Sequence, residues 1–102
     1  MSVAQLLENK LREQFAISYL QVVNESHRHH VPRGSESHFK VTLVSEAFAD
    51  QKLIARHRLV NECLKELLEG PIHALALHTY TSEEWQKRQE QTPQTPNCVG
   101  GK

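Results

Sequence analysis

An excess of either charge is absent from this chain. Twelve Lys and Arg stand against twelve Asp and Glu, so contact with nucleic acid has to come from a local patch or from protonated histidines, and bulk affinity is expected to be weak. Cysteine is scarce: Cys63 and Cys98 are the only two, and neither has a CxxC neighbour. That excludes a disulfide framework and fits a reducing compartment. Long apolar runs are missing as well. The opening MSVAQLLENKLREQF carries charges throughout, unlike a signal peptide or spanning helix, so a soluble, cytoplasmic protein with no membrane partner is expected. No nucleophile motif, phosphate loop or HExxH pattern occurs, and Glu83 with Glu84 reads as first-turn helix charge, so an enzyme is not expected. No internal repeat is evident. A chain of 102 residues holds one domain with a single modest core.

Within that frame the periodicities are clear. Ser2 can cap a helix whose Val3, Leu6, Leu7 and Leu11 recur at three- and four-residue intervals. A β-rich run from Ile17 to Glu25 ends at Asn24, and in HFKVTLV the residues Phe39, Val41 and Leu43 alternate with His38, Lys40 and Thr42 as a second strand. After a short helical turn, the spacing predicts one long helix from about Lys52 to Glu69, stopped by Gly70 and Pro71. Its expected buried stripe is Leu53, Val60, Leu64, Leu67 and Leu68, with Arg56 solvated. IHALALHTY reads as a third strand, and SEEWQKRQEQ as a last helix capped by Thr81 or Ser82, with Trp85 folding onto the sheet edge. The order α-β-β-α-α-β-α implies an α+β fold: a three-stranded mixed sheet with helices over one face, strands one and two forming a hairpin and strand three parallel to a neighbour. Residues 1–90 are expected to form the domain, and 91–102, TPQTPNCVGGK with its preceding Gln91, a disordered tail.

Histidine is the residue in surplus. Four of seven, His27, His29, His30 and His38, fall in the stretch SHRHHVPRGSESHF, which Pro32 and Gly34 mark as a loop. Imidazole switches between neutral metal ligand and cation near neutral pH, so this loop offers metal ligation or pH-sensitive contacts; a solvated polar turn is the plainer reading. The hairpin loop and one end of the third strand, which carries His73, can lie together. His73 could equally be a hydrogen-bonded histidine at a strand start, and the loop could collect zinc adventitiously. A second cluster, Lys52, Arg56, His57 and Arg58, could touch nucleic-acid phosphates or could be a solvated helix face.

NESHRHHVPRGSESHFKV, then RHRLV, then HALALHTYT followed by a Trp resembles the BolA family, with similarity running from residue 1 to about residue 99 and including TPNC near the end. The resemblance implies a class II KH-like fold and a cytosolic, non-catalytic protein, a monomer or weak dimer when isolated. It also implies a monothiol glutaredoxin partner, with a bridged [2Fe-2S] cluster held by the glutaredoxin cysteine and a glutathione thiolate on one side and by this chain on the other. No cofactor is then expected in the isolated chain. The histidine that begins HALALH puts the first ligand on His73. Laying NESHRHHVP on the family pattern puts the second on His29, with His27 and His30 able to substitute; the loop has no cysteine, which places the chain with the histidine subgroup. Some BolA proteins are described as DNA-binding transcriptional regulators. The turn around AFADQKLIARHR lacks the glycines of a KH phosphate-gripping loop, which weakens a KH-style DNA contact.

Overall fold

The structure is a computed structural model and describes residues 2–26 and 36–89. Helix α1 (Val3–Gln14) begins where Ser2 accepts a hydrogen bond from the Gln5 N–H, as its position before an apolar-periodic run demands. Strands β1 (Ile17–Asn24) and β2 (His38–Ser45) pair antiparallel, with Leu20 opposite Leu43 and Val22 opposite Val41. A 3-10 turn (Glu46–Phe48) leads past Asp50, which has a positive φ of 62°, into α2 (Leu53–Cys63) and α3 (Lys65–Glu69). Strand β3 (Ala74–Tyr80) then pairs parallel to β2, giving the sheet order β1-β2-β3, and α4 (Ser82–Lys87) closes the described chain. This is the α+β architecture the pattern implied, and it is compatible with a KH-like arrangement.

One sheet face makes the core. Phe39, Val41 and Leu43 of β2 meet Leu7 and Leu11 of α1, Val60 of α2, and Leu64, Leu67 and Ile72, all buried. Each such side chain contributes roughly 1.5–3 kcal/mol of apolar transfer, so the periodic residues of α1 and β2 carry much of the fold.

Several expectations are corrected. The long helix is two: Leu64, with φ −101° and ψ 13°, interrupts it, and Leu64 and Leu67 are both buried in the core. Leu53, assigned to the buried stripe, is 61% exposed, because α2 turns its Arg56–Val60 face inward. Arg56, expected in solvent, is 9% exposed. Strand β3 starts at Ala74 rather than Ile72; the Ile72 N–H donates to the Leu67 carbonyl, which turns its side chain into the core. Helices do not keep to one face either. Tyr19 and Tyr80 both neighbour Val44 in register, on the side opposite Leu43, and Trp85 of α4 stacks on Tyr19 at 5.2 Å and packs on Tyr80 at 5.3 Å. Trp85 therefore folds onto the sheet as a packing residue, over the face between Tyr19 of β1 and Tyr80 of β3 rather than at the expected edge. The last helix ends at Lys87, and its Thr81–Glu84 capping box fixes its start. The tail expected over 91–102 lies outside the described residues.

Candidate metal centre

The site is built at the end of the sheet where β2 and β3 begin. Because these strands run parallel, their first residues share one edge, and His38 lies opposite Ala74 in register. His73 immediately precedes β3 and is exposed. Its N–H donates to the Ser37 carbonyl at 2.8 Å, and the Ala74 N–H shares that acceptor at 3.1 Å. The backbone carrying His73 is thus tied to the residue before β2.

The same corner is tied to the end of β1. Ser26 is buried, and its hydroxyl accepts the N–H groups of both Ser37 (3.0 Å) and His38 (3.1 Å), while its own N–H donates to the Asn24 side chain. Small hydroxyl and Asx side chains suit such a turn because they satisfy backbone donors that the ladder leaves over. Glu36 adds a further tie. Its carboxylate accepts the N–H groups of Val3 and Ala4, placing negative charge at the start of α1 where the helix dipole favours it. The two chain ends that flank residues 27–35 are therefore fixed beside His73. His27, His29 and His30 fall in that segment, outside the described residues.

His38 is the described histidine that comes up to His73. The rings stand edge to face, 6.3 Å between centroids at 69°. Ser37 Oγ lies 2.8 Å from His38 Nδ1. The sequence placed His38 with the histidine-rich stretch and the start of the second strand but not beside His73; the missed signal was the parallel pairing of β2 with β3, which brings the starts of two strands distant in sequence into one corner. Donor chemistry here is imidazole. Among the described residues no group of three His, Cys, Asp or Glu could hold a metal ion. The Cys63 thiol lies elsewhere, against α1, where it donates to the Lys10 carbonyl at 3.3 Å and burial pushes its pKa up. Among the described residues, this end of the sheet thus offers nitrogen ligands and no thiolate.

The basic cluster is divided. Lys52 and Arg58 are exposed, but Arg56 turns inward to the carbonyls of Gln51 and Thr79 and the carboxylate of Glu84. His57 is half-buried, with Nε2 buried and without a hydrogen-bond partner. Burial, then the adjacent Arg56 charge, pushes its pKa down. His78 is likewise lowered, by burial first and then by Lys40, Arg88 and His57, against Glu25. Only Lys52 and Arg58 of the four keep their charge toward solvent.

A small α+β domain with a mixed three-stranded sheet and an imidazole-bearing corner is the class defined by these observations. The BolA-like protein family matches residues 11–84, and the chain belongs to the BolA family. It is 54% identical over 99 residues, 97% of this chain and 93% of the relative, to the "DNA-binding transcriptional regulator BolA" of Vibrio cholerae. To the Escherichia coli protein of the same name it is 48% identical, over 98% of this chain and 95% of that one. The solution structure of BolA1 from Mus musculus superposes with a TM-score of 0.83 at 40% identity, covering 98% of this chain and 80% of that one. No helix among the described residues is long and apolar enough to cross a membrane.

Proposed function

We propose that this chain is a non-enzymatic, cytoplasmic adaptor that docks a monothiol glutaredoxin and completes a bridging [2Fe-2S] cluster through His73 and a histidine of the 27–35 segment, His29 first, with His27 or His30 able to substitute. The observation that carries this reading is the exposed His73 held by Ser37 beside the two chain ends that flank that segment. The glutaredoxin cysteine and a glutathione thiolate would supply the remaining ligands. When bound, such a cluster supplies one-electron redox chemistry, and imidazole in place of thiolate on one iron raises its potential. The chain's own contribution is to present neutral imidazoles from a fixed corner, in the service of iron and iron-sulfur homeostasis and the stress response.

The test is a visible circular dichroism spectrum of the full chain reconstituted with a monothiol glutaredoxin, glutathione, iron and sulfide. A spectrum distinct from that of the glutaredoxin alone, lost in His73→Ala and altered in His29→Ala, is expected. A spectrum that stays that of the glutaredoxin alone would overturn the reading.

DNA binding is the second reading, favoured by the names of the Vibrio cholerae and Escherichia coli relatives. On this chain it rests on the exposed Lys52 and Arg58, with His57 half-buried and Arg56 turned inward. Binding to duplex DNA should then fall steeply with salt, and Lys52→Glu with Arg58→Glu should lower both the affinity and the salt slope, by about one for each phosphate that the variant no longer neutralises. Absence of binding at low salt would sink it.

A further inference from the structure

Ser37 is used twice at the site, and the two uses converge on His73. Its carbonyl accepts the His73 N–H, fixing the backbone, while its hydroxyl lies 2.8 Å from Nδ1 of His38. The His38 ring in turn stands edge to face with the His73 ring at 6.3 Å and 69°. His38 is itself held from behind, because its N–H donates to the buried Ser26 hydroxyl and its carbonyl accepts the Glu25 N–H at 2.8 Å. An exposed imidazole on a turn otherwise samples several χ1 and χ2 settings. A metal ligand that must first be ordered binds more weakly than one already aimed, and the outer partners that aim ligating histidines commonly change metal affinity by about 10–100-fold.

We propose that Ser37 and His38 form the positioning element of the His73 ligand: the Ser37 hydroxyl orients the His38 ring, and that ring, standing edge to face with the His73 ring, restricts it. The proposal rests on the reading of His73 as a metal ligand. His38 acts here through its shape and its bond to Ser37. It is not required to coordinate.

This assigns different outcomes to three substitutions. Ser37→Ala removes the hydroxyl but keeps the carbonyl that holds His73. His38→Ala removes the ring. His38→Phe keeps a ring able to stand edge to face, yet cannot ligate. The measurement is the affinity of the full-length chain for zinc ion, followed at the ring protons of His73 by nuclear magnetic resonance; amide spectra verify the fold, and His73→Ala defines the signal that depends on His73. Ser37→Ala and His38→Ala should each weaken His73-dependent zinc binding by about tenfold, and His38→Phe, which keeps the ring but also loses the bond to Ser37, should weaken it no more than Ser37→Ala does. If His38→Phe loses as much as His73→Ala, His38 is a ligand and the positioning role is overturned. Unchanged affinity in Ser37→Ala and His38→Ala overturns it too, and the folded Ser37→Ala chain decides the matter if His38→Ala does not fold.

The heterodimer spectrum separates this proposal from the reading beneath it. Loss of that spectrum in His73→Ala, together with unchanged zinc affinity in the Ser37 and His38 variants, removes only the positioning element. A spectrum indifferent to His73→Ala removes the adaptor reading itself.

Discussion

Arg56 and Glu84 meet as a two-pronged ion pair, Nη1 to Oε1 at 2.6 Å and Nη2 to Oε2 at 2.9 Å. The guanidinium also donates to the carbonyls of Gln51 and Thr79, and the carboxylate also accepts the Thr81 N–H. One pair therefore ties the approach to α2, the end of β3 and the start of α4. Fork-to-fork geometry of this kind is the strong form of a charge-assisted hydrogen bond.

Breaking the pair from its two sides should have unequal consequences. The Arg56 side chain is 11% exposed and that of Glu84 44%. Glu84→Ala thus strands a nearly buried cation and should cost about 2 kcal/mol, below the usual range for a fully buried pair because water screens the carboxylate side. Adding Arg56→Met removes the stranded charge, and the double variant should recover roughly half of that loss. Urea unfolding followed by the fluorescence of Trp85, the single tryptophan, measures the cycle. Strictly additive losses would contradict the pairing.

Acid should find the same pair. Chiefly through its hydrogen bonds from Arg56, the Glu84 carboxyl is lowered from 4.5 to about 2. A carboxyl depressed by folding stabilises the protein above its unfolded pKa and loses that contribution as pH falls through the folded one. Stability should therefore decline between about pH 4.5 and 2, and Glu84→Gln should remove part of that decline while lowering stability at neutral pH. Identical acid profiles for the two proteins would refute the assignment.

His57 of α2 and His78 of β3 act at higher pH. His57 and His78 are both pushed below their ordinary value of 6.5, chiefly by burial. Folding favours their neutral forms, so the stability they preserve is complete above pH 6.5 and is lost as pH falls through their lowered folded values. The full chain should begin to lose stability below about pH 6.5, before Glu84 titrates. His57→Gln and His78→Gln together should flatten that first decline, read from thermal midpoints across the range. A profile flat from pH 7 to 5 in the unsubstituted chain would argue against both shifts.

Period and punctuation made much of this fold legible. Ser2 with Leu7 and Leu11 of α1, and Phe39, Val41 and Leu43 of β2, stand as expected, whereas Leu6 of the same periodic set is exposed and β2 is also buried at Thr42 and Val44 on its other face. What was not legible depends on contacts remote in sequence. Arg56 sits in a helix among solvated residues, and nothing local reveals that Glu84 and the Thr79 carbonyl draw it inward. The interruption at Leu64 has no glycine or proline to announce it. At the candidate site, His73 and the histidine loop could be named from the sequence. The contacts of Ser26 with Ser37 and His38 appear only once β1 and β2 are paired, and those of Ser37 and His38 with His73 only once β3 joins β2 in parallel.

That distinction can be tested on α2, where periodicity alone and the structure disagree. A single continuous stripe would bury Leu53 with Val60, yet Leu53 and its neighbour Ile54 are 61% and 64% exposed while Val60 is fully buried. Surface substitutions away from special features usually change stability by less than about 0.5 kcal/mol, whereas truncating a buried aliphatic side chain leaves a cavity and costs about 1–3 kcal/mol for a residue the size of valine. Leu53→Gln and Ile54→Gln should therefore leave the thermal midpoint within a few degrees of the unsubstituted chain, and Val60→Ala should lower it by roughly 5–15 °C in a domain of this size. A large loss from Leu53→Gln would restore the continuous stripe and move the α2 boundary. Near-neutrality would mean that these two aliphatic side chains at the start of α2 are free of the core, so that the sheet end bearing His73 and the exposed start of α2 can be varied independently.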